Sequence, residues 1–325
     1  MPVTTTENRL EFVFPDVHPD ARLFITVHRT LRVPDDDTTY GLPPGLGSFQ
    51  LTDVGQVRSW AGDWSPGDVL LPMWQAEAAW FSFSAPSDYA FLVRMSVGGI
   101  NAVTGDDFTA EVDFSGEDYF EVPTQPWLDG FRIDETTVRQ FVAMPLGKGY
   151  SAAEQLIGVD DAAVRIQVTP LKGETWDRRQ AQQQTVADCG ETMAPMAAPD
   201  GAIAAPGSAM GMGAGGSITQ SVAVPIEPKE NWAIGAHTHA TLRIINSMQW
   251  QTLTGTPPHH APPTITEYQR HGYPWFEWYD DSLARQGSSK FADLGTVKQV
   301  GDKHGKQPLP DNPSFPPPTP HIVGG

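Results

Sequence analysis

Cysteine is almost missing from this sequence: Cys189 is the single one among 325 residues. No intrachain disulfide can therefore form, and nothing points to an oxidising compartment. Basic charge is scarce as well. Against 39 acidic residues stand 21 Lys and Arg, a formal net charge of −18, which repels a phosphate backbone or an anionic membrane unless the basic residues cluster. The densest group, Lys298, Lys303 and Lys306, is broken by Asp302, so the charge argues against nucleic acid and membrane as partners. No run of about 18 apolar residues occurs, and Met1 to Pro15 lacks the basic and then apolar order of a secretory leader. The expected location is cytoplasmic. Also missing are G-x-S-x-G, a Walker A loop and H-E-x-x-H. With no catalytic motif and no cofactor motif, no catalytic residue and no cofactor is assigned, and the reading leans away from an enzyme.

What is present is a strand pattern. At 39% hydrophobic content the chain buries a core without help from metal or disulfide. Leu23, Ile25, Val27, Leu31 and Val33 alternate with Phe24, Thr26, His28, Thr30 and Arg32, the period of a half-buried strand. Phe108, Ala110, Val112 and Phe114 alternate in the same way, as do Val164, Ile166 and Val168, and Trp80–Phe83, Tyr89–Val97 and Arg139–Met144 read as further strands. Turn formers lie between them: Pro43-Pro44-Gly45, Pro66-Gly67, Gly98-Gly99 and Ser115-Gly116. The fold class expected is mainly β, an antiparallel β-sandwich-like domain with a smaller mixed α/β C-terminal region. Ser151 with Glu154 is a capping-box spacing and Gly158 a stop, predicting one short helix.

The domain reading places the sandwich over residues 1–172. Residues 173–217 form a linker or long loop, Gln-rich and then almost wholly Ala, Gly, Met, Pro and Ser from Met193 to Gly216. Such a segment has little to bury against its ordering entropy. Residues 218–307 make an aromatic-rich mixed region, with a helix start at Thr264 and Glu267 and a stop at Gly272, and 308–325 a tail with seven prolines between Pro308 and Pro320, expected to be an extended polyproline-type arm.

Candidate chemistry is thin. His237 and His239 project from one face of a strand and are weak metal candidates, with His259 and His260 as further ligands; Leu242 and Arg243 stand where a carboxylate ligand would be wanted. No metal site is assigned. Asp35-Asp36-Asp37 lacks the spacing of a calcium loop and reads as a solvated turn. Gly211, Gly213 and Gly216 fit a dinucleotide fingerprint in letters only, because a strand and not a helix follows them. Cys189, beside Asp188 and Gly190, reads as an ordinary free thiol.

The ten tryptophans are the most unusual feature. Trp60, Trp64, Trp74, Trp80, Trp127, Trp232, Trp250, Trp275 and Trp278 include several in polar loops, where indoles stack on sugars or anchor protein interfaces.

Four stretches carry a resemblance: FITVHRTLRVPDDDTTYGLPPGLG (24–47), LPMWQAEAAWFSF (71–83) with GINAVTG (99–105), and VPTQPWLDGFRIDETTVRQFVAMPLGKGYSAAEQ (122–155). With Pro274-Trp275-Phe276 they resemble a bacterial family of hypothetical proteins, over most of the chain except the Gly/Met-rich segment and the Pro-rich end. The resemblance implies a bacterial cytoplasmic protein and carries no activity, cofactor or catalytic residue onto these positions.

The function expected is a non-enzymatic self-assembling structural or protein-binding protein, its interface drawn from Trp275, Phe276, Trp278, Pro316, Pro317 and Pro318, and its partner a second copy in a homo-oligomer or filament. The alternative is a carbohydrate-binding or carbohydrate-active protein with carboxylates in a Trp-lined cleft.

Overall fold

The computed structural model describes residues 3–57, 64–161, 163–187, 210–263, 267, 270 and 289–303. Its strands are β1 (Val3–Thr6), β2 (Arg9–Val13), β3 (Arg22–Thr30), β4 (Thr39–Tyr40), β5 (Gly45–Ser48), β6 (Thr52–Asp53), β7 (Val69–Met73), β8 (Ala78–Ser84), β9 (Phe91–Val97), β10 (Ile100–Asn101), β11 (Phe120–Val122), β12 (Trp127–Leu128), β13 (Gly130–Arg132), β14 (Thr137–Pro145), β15 (Ala163–Pro170), β16 (Met210–Thr219) and β17 (Thr238–Asn246). The helices are α1 (Ala152–Leu156), α2 (Gly173–Ala187), α3 (Ser247–Thr254), α4 (Ser289–Ala292) and α5 (Val297–Lys303). None of the helices among the described residues is long and apolar enough to cross a membrane.

The fold is mainly β, a sandwich of two sheets. The larger has ten strands in the order β1-β2-β3-β8-β14-β16-β4, with β5 on β3, β12 on β8 and β13 on β14. The smaller has seven, in the order β10-β9-β15-β17-β7-β6, with β11 on β9. One core joins their inner faces, built from Leu23, Ile25, Val27, Phe81 and Phe141 on one side and Phe91, Val93, Met95, Ile166 and Leu242 on the other. Phe83 meets Phe120 across the gap with ring centroids 4.9 Å apart. The strand alternation seen in the sequence is the burial alternation of β3, whose odd-numbered residues from Leu23 to Arg29 are buried while Phe24, Thr26 and His28 are partly exposed. Pairing is not antiparallel throughout: β16 runs parallel to β4, and β17 parallel to β7. In each parallel pair the chain between the partners is long, as parallel pairing requires.

Two sequence expectations are corrected. Residues 108–114 are a loop and not a strand. Their polar groups are taken by side chains: Arg94 donates to the Thr109 carbonyl at 3.1 Å, and the Asp113 amide donates to Asp118 at 3.0 Å. Period-2 apolarity without a free strand edge to pair with does not make a strand.

The segment expected to be a linker is regular structure at both described ends. Gly173–Ala187 is α2, which packs Trp176 on Tyr89 at 4.7 Å, and Met210–Thr219 is β16, buried beside β14. Met210, Met212 and Ala214 face the core, while Gly211, Gly213 and Gly215 lie where a Cβ would strike Leu146, the Tyr150 carbonyl and Val142. Glycine here permits close packing on the outer side of the sheet; it does not signal a coil. Because β16 and β17 lie inside the two sheets, residues 210–246 share the core of the first half and are not a separate unit. A Cβ on Gly216 would sit 2.0 Å from the Pro34 carbonyl oxygen. Gly216→Ala is expected to cost about 1–3 kcal/mol in chemical denaturation, while Gly235→Ala, where nothing lies within 4 Å, leaves stability unchanged.

The short helix at Ser151 forms as expected: Ser151 accepts from the Glu154 amide at 3.2 Å, Glu154 accepts from the Ser151 amide at 2.9 Å, and Gly158 adopts φ +68°. The aspartate turn is also local. Asp36 accepts from the Thr38 amide at 2.9 Å and the Tyr40 hydroxyl at 2.8 Å, while Asp35 accepts from the Lys298 amide at 2.8 Å and so ties α5 to the sheet. The helix start expected at Thr264 and Glu267 falls largely outside the described residues.

Candidate binding face on the larger sheet

Strands β3, β8 and β12 send alternate residues inward, so register alone fixes what their outer face presents. Glu11, Phe24 and Ser84 form one cross-strand row, Arg9, Thr26, Ser82 and Trp127 a second, and His28 and Trp80 a third, with Ser48 beside His28. The His28 and Trp80 rings stack at 4.0 Å with 15° between their planes, and His28 Nε2 lies 2.7 Å from the Ser82 hydroxyl. The Arg9 guanidinium sits 4.0 Å over the Phe24 ring. Burial pushes the His28 imidazole down to about 4, so at neutral pH the ring is uncharged. Arg9 and Arg22 pair with Glu7 and Glu11 at 3.1 and 3.0 Å. The face is therefore aromatic, hydroxyl-bearing and close to neutral on a strongly acidic protein. Phe24, His28, Trp80 and Trp127 are all half-buried.

The ends of this face are covered. Leu31–Leu42 crosses β14 and β16, where Val33, Tyr40 and Leu42 pack on Val138 and Ile218. Helix α5 covers Ala78, Val142 and Met144 through Val297 and Val300, together with Tyr150.

The buried ionisable groups are engaged inside the protein. Glu77 accepts from Arg29 Nε at 2.8 Å, from the Trp74 amide at 2.8 Å and from His259 Nε2 at 3.1 Å, while Arg29 also donates to the His260 carbonyl and Trp74 Nε1 donates to the His259 carbonyl at 3.1 Å. Burial alone would raise the Glu77 carboxyl; Arg29, His259 and the Trp74 amide outweigh it and hold it below its ordinary value. Arg94 pairs with Asp118 and donates to Gln167 at 2.7 Å, which clamps the 108–114 loop. Glu121 accepts from the amides of Ile226 and Glu227 at 3.0 and 2.9 Å. Asp129 accepts from the Gln220 amide side chain at 2.6 Å. Burial pushes its carboxyl up to about 7, opposed by Gln220 and by the Trp127 side chain. Each cluster closes a loop or segment onto the sandwich.

The residues singled out from sequence are dispersed. His237 caps a 3-10 turn and contacts the Ile234 carbonyl at 2.8 Å; His239 is exposed on β17 and borders a small recess with Thr4 and Asp53. His259 is instead buried against Glu77, Trp74 and Phe49, so the two histidine pairs have different neighbours. Among the described residues no three metal-binding side chains converge. Trp275, Phe276, Trp278, Pro316, Pro317, Pro318 and Cys189 lie outside the described residues. Of the other tryptophans, Trp74, Trp232 and Trp250 are core, and Trp80 and Trp127 flank the face. In the sequence, Phe24 and His28 fall on the side of the strand pattern shared with Thr26, Thr30 and Arg32, which does not single them out. The signal for the face is that β8 carries rings on both sides and β3 carries Phe24 and His28 on the side opposite Leu23, Ile25 and Val27, where a strand with one wet side alternates apolar with polar.

The chain matches no protein-family model, no curated protein and no solved structure.

Proposed function

We propose that this chain is a non-enzymatic, protein-binding protein whose recognition surface is the outer face formed by β3, β8 and β12. The observation that carries the reading is the His28–Trp80 stack, followed along the strands by the row of Thr26, Ser82 and Trp127 and then by Phe24, so that hydroxyls lie between the stack and Phe24. Rings supply contact area for few rotatable bonds, and the hydroxyls satisfy the backbone groups of an extended polypeptide. The near-neutral face also limits the mutual repulsion that a net charge of −18 imposes when two copies approach. Self-assembly through this face belongs to the same reading.

The test presents immobilised extended peptides and oligosaccharides to the protein, with sedimentation of the protein alone across concentration and salt. Peptide binding or self-association is expected, weakened at least ten-fold in Trp80→Ser and kept in Ile226→Ser, whose side chain is exposed elsewhere. Binding of oligosaccharides only, lost in Trp80→Ser, assigns the face to carbohydrate and overturns the protein-binding reading.

A further inference from the structure

Resting on that reading of the face, we infer that its occupant is the proline-rich segment 308–320 of this same chain. The last described element, α5, ends at Lys303 and packs on the same outer surface, with Val297 and Val300 in one cluster with Ala78. Ala78 and Trp80 are two residues apart on β8 and point the same way, a separation of about 7 Å. Only the residues from His304 to Gln307 stand between α5 and Pro308. Fully extended, a step of five residues from Lys303 reaches about 17 Å, which spans the Ala78–Trp80 separation and leaves about 10 Å for the path from Lys303 to Ala78.

The chemistry matches as well. Segment 308–320 reads PLPDNPSFPPPTP, with seven prolines and one charged residue, Asp311. Proline offers a ring and a carbonyl but no amide donor. A site for such a segment needs flat aromatic walls and side-chain donors, and gains little from main-chain acceptors. The face provides this combination in Trp80, Trp127 and Phe24 as walls and Thr26 and Ser82 as hydroxyls. A strand-adding ligand would instead need a free sheet edge, and β3 and β8, which carry the ring stack, are internal to the larger sheet. The low charge of the segment suits a face whose arginines are already paired with Glu7 and Glu11. A short connection holds the segment at an effective concentration of the order of 1 mM, so even a site with sub-millimolar affinity is filled from its own chain.

The experiment uses the full-length chain and, as probe, a blocked synthetic peptide of residues 308–320, with tryptophan fluorescence and calorimetry as readouts. Replacing Pro316, Pro317 and Pro318 together by Ser in the full-length chain uncovers the face. The peptide is expected to bind this variant about ten-fold more tightly than the parent, the factor set by competition from the parent's own segment. Adding Trp80→Ser removes that binding; adding Ile226→Ser leaves it intact. Thermal melts of all variants confirm folding. The inference is overturned if the peptide binds parent and triple variant equally, binds neither, or binds independently of Trp80. If other extended peptides bind in a Trp80-dependent way while 308–320 does not, the occupant is wrong and the protein-binding reading stands.

Discussion

Replacing Glu77 by alanine lowers the unfolding free energy by about 3–5 kcal/mol. The carboxylate has no exposure and closes three bonds at once, to Arg29, the Trp74 amide and His259. Its loss strands the buried Arg29 guanidinium, and it releases the 256–263 segment that His259 and the His260 carbonyl hold against the sandwich end. Denaturant titration at neutral pH measures the loss. The double replacement Arg29→Met with Glu77→Leu recovers most of it, because removing both charges removes the desolvation cost as well as the attraction. A single-variant loss below about 1 kcal/mol would mean that water reaches the pair and that the cluster does not hold the segment. The carboxyl is held below its ordinary value, so its stabilisation is present above the unfolded carboxylate range. It is lost as pH falls through the lower folded value.

Asp129→Asn acts in the opposite direction and in a different window. The folded carboxyl is raised from 3.8 to about 7, so the folded protein retains a proton that the unfolded chain gives up. Stability attributable to this group is complete below about pH 4, falls as pH rises toward 7 and is level above it. The asparagine variant does not pay that cost, since its side chain stays neutral and still faces the Gln220 amide. At pH 8 it is expected to be more stable than the parent by up to about 4 kcal/mol, the equivalent of a three-unit shift. At pH 4 the two should agree. Melting curves of parent and variant between pH 4 and 8 measure this, and parallel curves over the whole range would show that Asp129 is ionised in the folded protein. Together the two carboxyls bracket a stability maximum on the acid side of neutrality.

The legible part of the sequence was what is encoded within a few residues. The alternation of Leu23, Ile25 and Val27 specifies a strand and its buried face because the side-chain period of a strand is two. Ser151 and Glu154 close a capping box within one turn, and Asp36 caps its own turn. The acidic composition and the scarcity of basic clusters bear on partners without reference to fold. The sequence therefore determined a mainly β protein and the location of most of its larger strands.

What only the tertiary structure decided concerns partners far apart in the chain. The alternation in 210–216 is as regular as that of β3, but glycine carries no hydrophobic signal. Only the neighbours at Leu146, Tyr150 and Pro34 reveal why no side chain fits there. Phe108 to Phe114 has the strand period and finds no strand edge, so its polar groups go to Arg94, Gln167 and Asp118. The candidate face is of the same kind: His28 and Trp80 are 52 positions apart, and β3 and β8 must first pair for the two rings to stack. A local pattern fixes which way a side chain points; a site exists only when cross-strand register sets the neighbours side by side, and register is a property of the assembled sheet.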